Sequence, residues 1–185
     1  LGLPVSGSVQ LGGRQYSCVA GQSFASLDFA RGIWPLRSHW TRAAFASAGG
    51  IAGNFGAGWS DYSGLSENAL WFGGELLHLD EPVHIEQSPH GPLAPWRLSC
   101  ASGKIELTFT PRQQHLALPK IGPFYADTRQ WFGRFDGVLR GPRGKGAGGR
   151  CLWLDWLDPR TLVIASIEIT GNRSSLARPR LPEAH

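Results

Sequence analysis

The sequence predicts an all-β protein: an antiparallel meander that forms a β-barrel, an open half-barrel or a two-sheet sandwich, with few or no helices. Three observations carry this. Apolar and polar residues alternate over several short runs, as half-buried strands require. The runs are separated by tight-turn residues at hairpin spacing. Glycine and proline are abundant, 25 and 13 of 185 residues, which favours many turns over long helices.

The clearest strand is Lys104–Thr110, where Ile105, Leu107 and Phe109 must share one face because successive side chains flip across a strand. Trp96, Leu98 and Cys100 alternate in the preceding run, and Ala101-Ser102-Gly103 joins the two as a hairpin loop with glycine available for positive φ. A second hairpin is read from 68–72 and 75–79, with Gly73-Gly74 between them as a two-residue turn. Further strands are expected at 14–19, 22–29, 51–57, 83–87, 130–139 and 161–169. Pro4, Pro35, Pro82, Pro92, Pro95, Pro111, Pro119 and Pro123 fall between or at the ends of these runs, where a missing donor is tolerated. The only helical expectation is a turn or two near Thr41–Ala48. Roughly ten short strands in succession wrap most economically into a closed or two-layered sheet, which removes exposed edges.

The domain division follows composition: a β-barrel domain over 1–140, a glycine-rich linker over 141–150, and a C-terminal segment over 151–185 ending in a basic tail. Of the net charge of +4, residues 1–140 contribute +1 and 141–185 contribute +3. The positive charge is not interleaved with aromatics on one face, so no nucleic-acid partner is expected. No apolar run reaches the ~20 residues of a membrane-spanning helix. Three cysteines, none at close spacing, suit a reducing compartment, and with no secretion signal in view a cytoplasmic location is expected. The absence of any methionine reads as a fragment or a processed form.

Several chemical motifs fail on spacing. Gly53–Gly58 lacks the dinucleotide-binding pattern, Lys145 is followed by glycine where a phosphate loop needs Ser or Thr, and the run 64–68 ends in Asn where a nucleophile elbow ends in Gly. His78 with Asp80 and His84 with Glu86 put ligand types on shared strand faces, but read first as polar outer faces. No metal or cofactor is expected.

The segment from Phe24 to Asn68 is richest in candidates. Asp28, Arg31, Trp34, Trp40, Asn54, Glu67 and Asn68 lie there among glycines and apolar residues. Buried polar groups must find partners, so one reading is that these residues pair with each other and with backbone. The other is a lined pocket: indole walls, one or two carboxylates and an amide. A carboxyl in such a dry site would keep its proton to higher pH and could act as a general acid. Trp71 and Trp96 read first as core, with Trp96 retained as a candidate pocket wall.

The order of motifs supports a family. Leu3-Pro4-Val5-Ser6-Gly7-Ser8-Val9, Leu27-Asp28-Phe29-Ala30-Arg31-Gly32-Ile33-Trp34-Pro35, Gly53-Asn54-Phe55-Gly56-Ala57-Gly58, Glu67-Asn68-Ala69-Leu70, Gly74–Leu79, Pro95–Leu98, Leu107–Pro111 and Phe132–Gly137 together resemble the bacterial domain-of-unknown-function family numbered 2804, over about residues 3–140. The resemblance implies a lipocalin-like double barrel, of which this chain is the C-terminal half and a missing N-terminal barrel domain the partner. It also implies kinship with hydroxyneurosporene-synthase-like and tocopherol-cyclase-like proteins, which hydrate, cyclise or isomerise greasy substrates by proton chemistry. After Arg140 the sequence departs from the family pattern.

The leading expectation is a lipocalin-like β-barrel that binds a lipophilic small molecule in a Trp-lined cavity. If it turns substrate over, the reaction is cofactor-free, acid-assisted hydration, cyclisation or isomerisation. Glu67 or Asp28 would donate the proton, and Arg31, Trp34, Trp40, Asn54, Asn68 and Trp96 would bind the ligand. The alternatives are a non-catalytic lipid or isoprenoid carrier and a structural half of a two-barrel protein.

Overall fold

The structure is a computed structural model and describes residues 2–27, 38–47, 50–58, 66–118, 120–121, 124–141, 151–153 and 165–174. The strands are β1 (Leu3–Pro4), β2 (Gly7–Leu11), β3 (Arg14–Cys18), β4 (Phe24–Ala25), β5 (Ser38–Ala46), β6 (Ile51–Gly58), β7 (Ala69–Phe72), β8 (Glu75–His78), β9 (Val83–Gln87), β10 (Trp96–Cys100), β11 (Ile105–Ala117), β12 (Lys120–Ile121), β13 (Phe124–Arg140), β14 (Cys151–Trp153) and β15 (Ala165–Ser174). Every strand pair is antiparallel. Among the described residues there is no helix, and none long and apolar enough to cross a membrane.

The helical turn expected near Thr41–Ala48 is instead strand β5. Burial alternates strictly along it: Thr41, Ala43, Phe45 and Ser47 are buried and the residues between them are half-buried. A period of two is strand geometry, and it outweighs the helix propensity of the three alanines in this stretch. The two hairpins match the sequence reading closely, whereas the strand expected at 22–29 is described only as β4 and β2 was not expected. The Gly73-Gly74 turn joins Phe72 to Glu75, with φ of 58° and 93°, the left-handed pair that a type I′ turn needs. The β10–β11 hairpin sets Trp96 opposite Phe109 and Leu98 opposite Leu107, with Gly103 at φ 68°.

One sheet of eleven strands dominates. Its ladder path runs β8-β7-β6-β5-β15-β13-β11-β10-β9, with β12 and β14 pairing to β13 off the path; β1–β4 and β2–β3 form two small separate sheets. The path is open, since β8 and β9 end it without pairing to each other. The fully closed ladder of a barrel is therefore not formed by the described strands. Yet these two end strands are consecutive in the chain and joined only by residues 79–82. A connection that short reaches at most about 18 Å, whereas nine strands laid flat would put their outer edges roughly 40 Å apart. The sheet must curl.

The inner face of the curl holds the core: Phe45, Phe55, Leu70, Leu79, Trp96, Leu98, Ile105, Leu107, Phe109, Trp131, Phe135 and Leu139 join one buried cluster. Phe45 on β5 and Phe135 on β13 are separated by β15, but their ring centroids are 5.4 Å apart, closer than the roughly 10 Å between second-neighbour strands. Phe109 meets Phe135 at 4.8 Å and Trp96 meets Trp131 at 5.0 Å.

Pro111 does not end its strand as expected. β11 passes through it with a bulge, so that Pro111 faces Gly133 while Gln113 faces Phe132. A bulge adds one unpaired residue and reverses which positions point inward. Before it, Ile105, Leu107 and Phe109 face in; after it, Gln114 lies opposite Trp131 and Leu116 opposite Arg129. Leu116 is 53% exposed although it shares the inner face, while Phe109 is fully buried. The core thus ends beyond the bulge. Phe109→Ala should cost roughly 3–5 kcal/mol in urea unfolding, while Leu116→Ala should change stability by less than about 0.5 kcal/mol.

Candidate functional site

Strand register separates the polar candidates from the aromatic core. On β5 the core residues are Ala43 and Phe45, so Trp40, Arg42 and Ala44 point to the other, outer face. Trp40 pairs with Gly58, Arg42 with Gly56 and Ala44 with Asn54, which places Asn54 on that outer face as well, while Phe55 points in. Asn54 in turn faces Ala69, and Glu67 shares the outward parity of Ala69.

Among the described residues, Trp40, Asn54 and Glu67 pair with one another, one of the two arrangements the sequence left open. The Trp40 indole Nε1 donates to Glu67 Oε1 at 3.0 Å, and Asn54 Nδ2 donates to the Glu67 backbone oxygen at 3.0 Å and to Oε2 at 3.4 Å. Arg42 Nε donates to Asn54 Oδ1 at 2.7 Å. Both carboxylate oxygens and both ends of the Asn54 amide are thereby engaged. The Glu67 side chain lies flat on Gly56, where a Cβ would sit 2.5 Å from Oε1. A side chain there would push the carboxylate off its donors.

Asn68 is 3% exposed and ties two elements. Its Oδ1 accepts from Gly56 N at 2.8 Å, and its Nδ2 donates to the Glu81 backbone oxygen at 3.2 Å. Leu79 N also donates to the Asn68 backbone oxygen at 2.9 Å. The 79–82 connection is held from its other side by the Glu81 carboxylate, which accepts from Ser102 N at 2.9 Å and from Ser102 Oγ. Those bonds lower the Glu81 pKa from its ordinary 4.5. His78, next to this connection, has Nε2 at 2.7 Å from the Ser66 backbone oxygen and Nδ1 at 2.9 Å from Asp80. Two acceptors on one ring favour the doubly protonated form, and the Ser66 bond, then Asp80, raise its pKa above 6.5. Among the described residues no cluster of three His, Cys, Asp or Glu could hold a metal ion.

Asp28, Arg31 and Trp34 lie outside the described residues. Trp96 is 2% exposed in the core, and its indole nitrogen is buried without a partner among the described residues.

A second feature lies on the inner face. Beyond the aromatic core is a groove of about 460 Å³. It is lined by His39, Gln87, Gln114, Asp127, Arg129 and Trp131, and by residues of the β9–β10 connection that include Ser88, Pro89 and Pro92. Every strand residue in this lining has inward parity: Gln87 faces Trp96, Gln114 faces Trp131, and both Asp127 and His39 face Gly171 of β15. Glycine between the last two leaves room at that level of the sheet. Arg129 is bidentate to Asp127, with Nε to Oδ1 and Nη2 to Oδ2 both at 3.2 Å, which raises the Arg129 pKa. Trp131 Nε1 donates to Pro92 O at 2.7 Å and pins the connection over one side. The side chains of His39, Gln87 and Gln114 make no hydrogen bond among the described residues. Sequence reasoning missed this site. The one local clue was the inward alternation through Ile85 and Gln87 and through Asp127, Arg129 and Trp131, but none of these polar residues belongs to a recognisable motif.

A family model described as Domain of unknown function (DUF2804) matches residues 1–147. No curated protein and no solved structure matches the chain.

Asn68→Ala leaves Gly56 N and the Glu81 oxygen without their partner and should cost about 2–3 kcal/mol in chemical unfolding. The two flanking ionisable groups predict opposite pH dependences. The stability difference between the parent and Glu81→Gln should be present above pH 4.5 and lost as pH falls through the lowered folded-state value. The difference between the parent and His78→Asn should be present below pH 6.5 and lost as pH rises through the raised folded-state value. Unfolding curves across this range check both.

Proposed function

As a member of the DUF2804 family, to which it belongs over residues 1–147, the chain inherits a description that names no activity, and we propose from its geometry that it is a binding domain for a lipophilic small molecule held in the inner-face groove. The observation that carries this is the position of the groove: it continues the concave face where the aromatic core stops. Pockets at the mouths of curled or closed sheets are a recurrent place for small guests. The lipocalin-like reading of the fold fits this arrangement, with the aromatic rings as a floor and the 79–82 connection drawing the two sheet edges together. Trp131, Pro89 and Pro92 offer the apolar wall.

Among the described residues, binding without turnover is the reading the geometry favours. A general acid needs a free oxygen within reach of its substrate. Glu67 spends both oxygens on Trp40 and Asn54, on the face away from the groove. Asp127, the acid in the groove, is held by Arg129.

Titration with the neutral dye N-phenyl-1-naphthylamine tests the proposal. One dye should bind per chain, with its fluorescence enhanced. Gln114→Trp, at an exposed position opposite Trp131, fills the groove and should weaken binding at least tenfold. Glu67→Gln should leave it within twofold while lowering stability by about 1–2 kcal/mol. Unchanged dye binding in Gln114→Trp, or lost binding in a folded Glu67→Gln, would overturn the assignment.

A further inference from the structure

The lining of the groove says more about its guest than apolarity alone. Resting on the binding reading above, we infer that the groove selects a guest with an uncharged head group rich in hydroxyl or amide functions, in preference to an anionic or cationic one. Three observations carry this.

The first is charge balance. Among the described residues of the lining, Arg129 and Asp127 are the fully charged side chains, and they neutralise each other through two bonds of 3.2 Å. A carboxylate guest approaching Arg129 must displace or adjoin the Asp127 carboxylate, and an ammonium guest approaching Asp127 meets the guanidinium. Like-charge juxtaposition costs either one. The second is unused hydrogen-bonding capacity. Gln87, Gln114 and His39 come from three different strands and converge on the groove with no hydrogen bond among the described residues. Each carboxamide offers both a donor and an acceptor, as does a neutral imidazole. Their complement is a group that also offers both, which a hydroxyl or an amide does and an ammonium or a carboxylate does not. The third is the cost of the alternative. A bare hydrocarbon seated here would strip water from these amides and return nothing, and sites built to hydrogen-bond a guest reject analogues lacking those groups.

The apolar part of the guest meets Trp131, Pro89 and Pro92 of the same lining. The tail can be held constant while the head is varied. Calorimetric titration of the full chain with octyl glucoside, octanoate and octylamine, each below its micelle concentration, makes the comparison. Octyl glucoside should bind at least tenfold more tightly than either charged compound. Gln87→Leu combined with Gln114→Leu should remove that preference by weakening octyl glucoside at least tenfold; both positions are exposed, so folding is spared. Asp127→Asn leaves the guanidinium without its counter-charge and should strengthen octanoate at least tenfold, a gain that a damaged fold cannot produce. If octanoate or octylamine equals or exceeds octyl glucoside in the parent, the head-group inference falls and the groove remains a binding site. If none of the three binds, and the naphthylamine dye does not bind either, the binding reading itself falls.

Discussion

A buried carboxamide, Asn68, closes the problem posed by the fold. Nine strands follow one another along a single ladder path, and its first and last members are neighbours in the chain. A sheet cannot satisfy both facts while flat, so its edges must approach. Where they approach, the ladder stops, and backbone groups of β6 and of the 79–82 connection need other partners. Asn68 supplies them from one side chain, accepting from Gly56 and donating to Glu81. The Glu81 carboxylate then ties the same connection to the β10–β11 turn through Ser102. Among the described residues, the curl is thus held by side-chain bonds where strand pairing does not hold it.

Curling divides the molecule into two faces with different chemistry. The outer face at β5 and β6 carries the Trp40, Arg42, Asn54 and Glu67 network, in which acceptors and donors are matched within the protein. Such a network stabilises a particular register and leaves little for a guest. The inner face carries the aromatic floor and then, past the bulge at Pro111, polar side chains with bonding capacity to spare. One extra residue in β11 decides this. Without it, the inward positions of the strand's second half would be Gln113 and His115 rather than Gln114 and Leu116.

The two faces suggest how binding and stability are kept apart. Buried and half-buried polar groups that need partners lie in the Asn68 and Glu67 clusters, the latter on the opposite face of the sheet from the groove's polar lining. The groove's own fixed points are few: the Trp131 bond to Pro92 that pins the overlying connection, and the Arg129–Asp127 pair that sets its charge. Its glutamines and histidine are exposed and make no hydrogen bond among the described residues, and surface positions of that kind can vary with little effect on stability.

The hairpins and the inward faces of β10 and β11 were legible in the sequence, because alternation and turn chemistry act over a few residues. The pairing of Trp40, Asn54 and Glu67 with one another was one of two arrangements the sequence left open, read from polar groups embedded in apolar runs that must find partners. Which face they meet on was not legible. Parity along one strand says which residues share a side, but only the pairing of β5 with β6 and of β6 with β7 says that this side is away from Phe45 and Phe55. The strand at 38–46 was obscured by its alanines, whose helix preference is overruled by pairing on both edges. The groove was invisible for a related reason: His39, Gln87, Gln114, Asp127 and Arg129 come from four strands spread over 91 residues and become neighbours only through register. Local patterning determined that this chain is made of antiparallel strands with one apolar face. The curl, the bulge and the long-range pairings decided what that face encloses, because they depend on contacts that no short stretch of sequence contains.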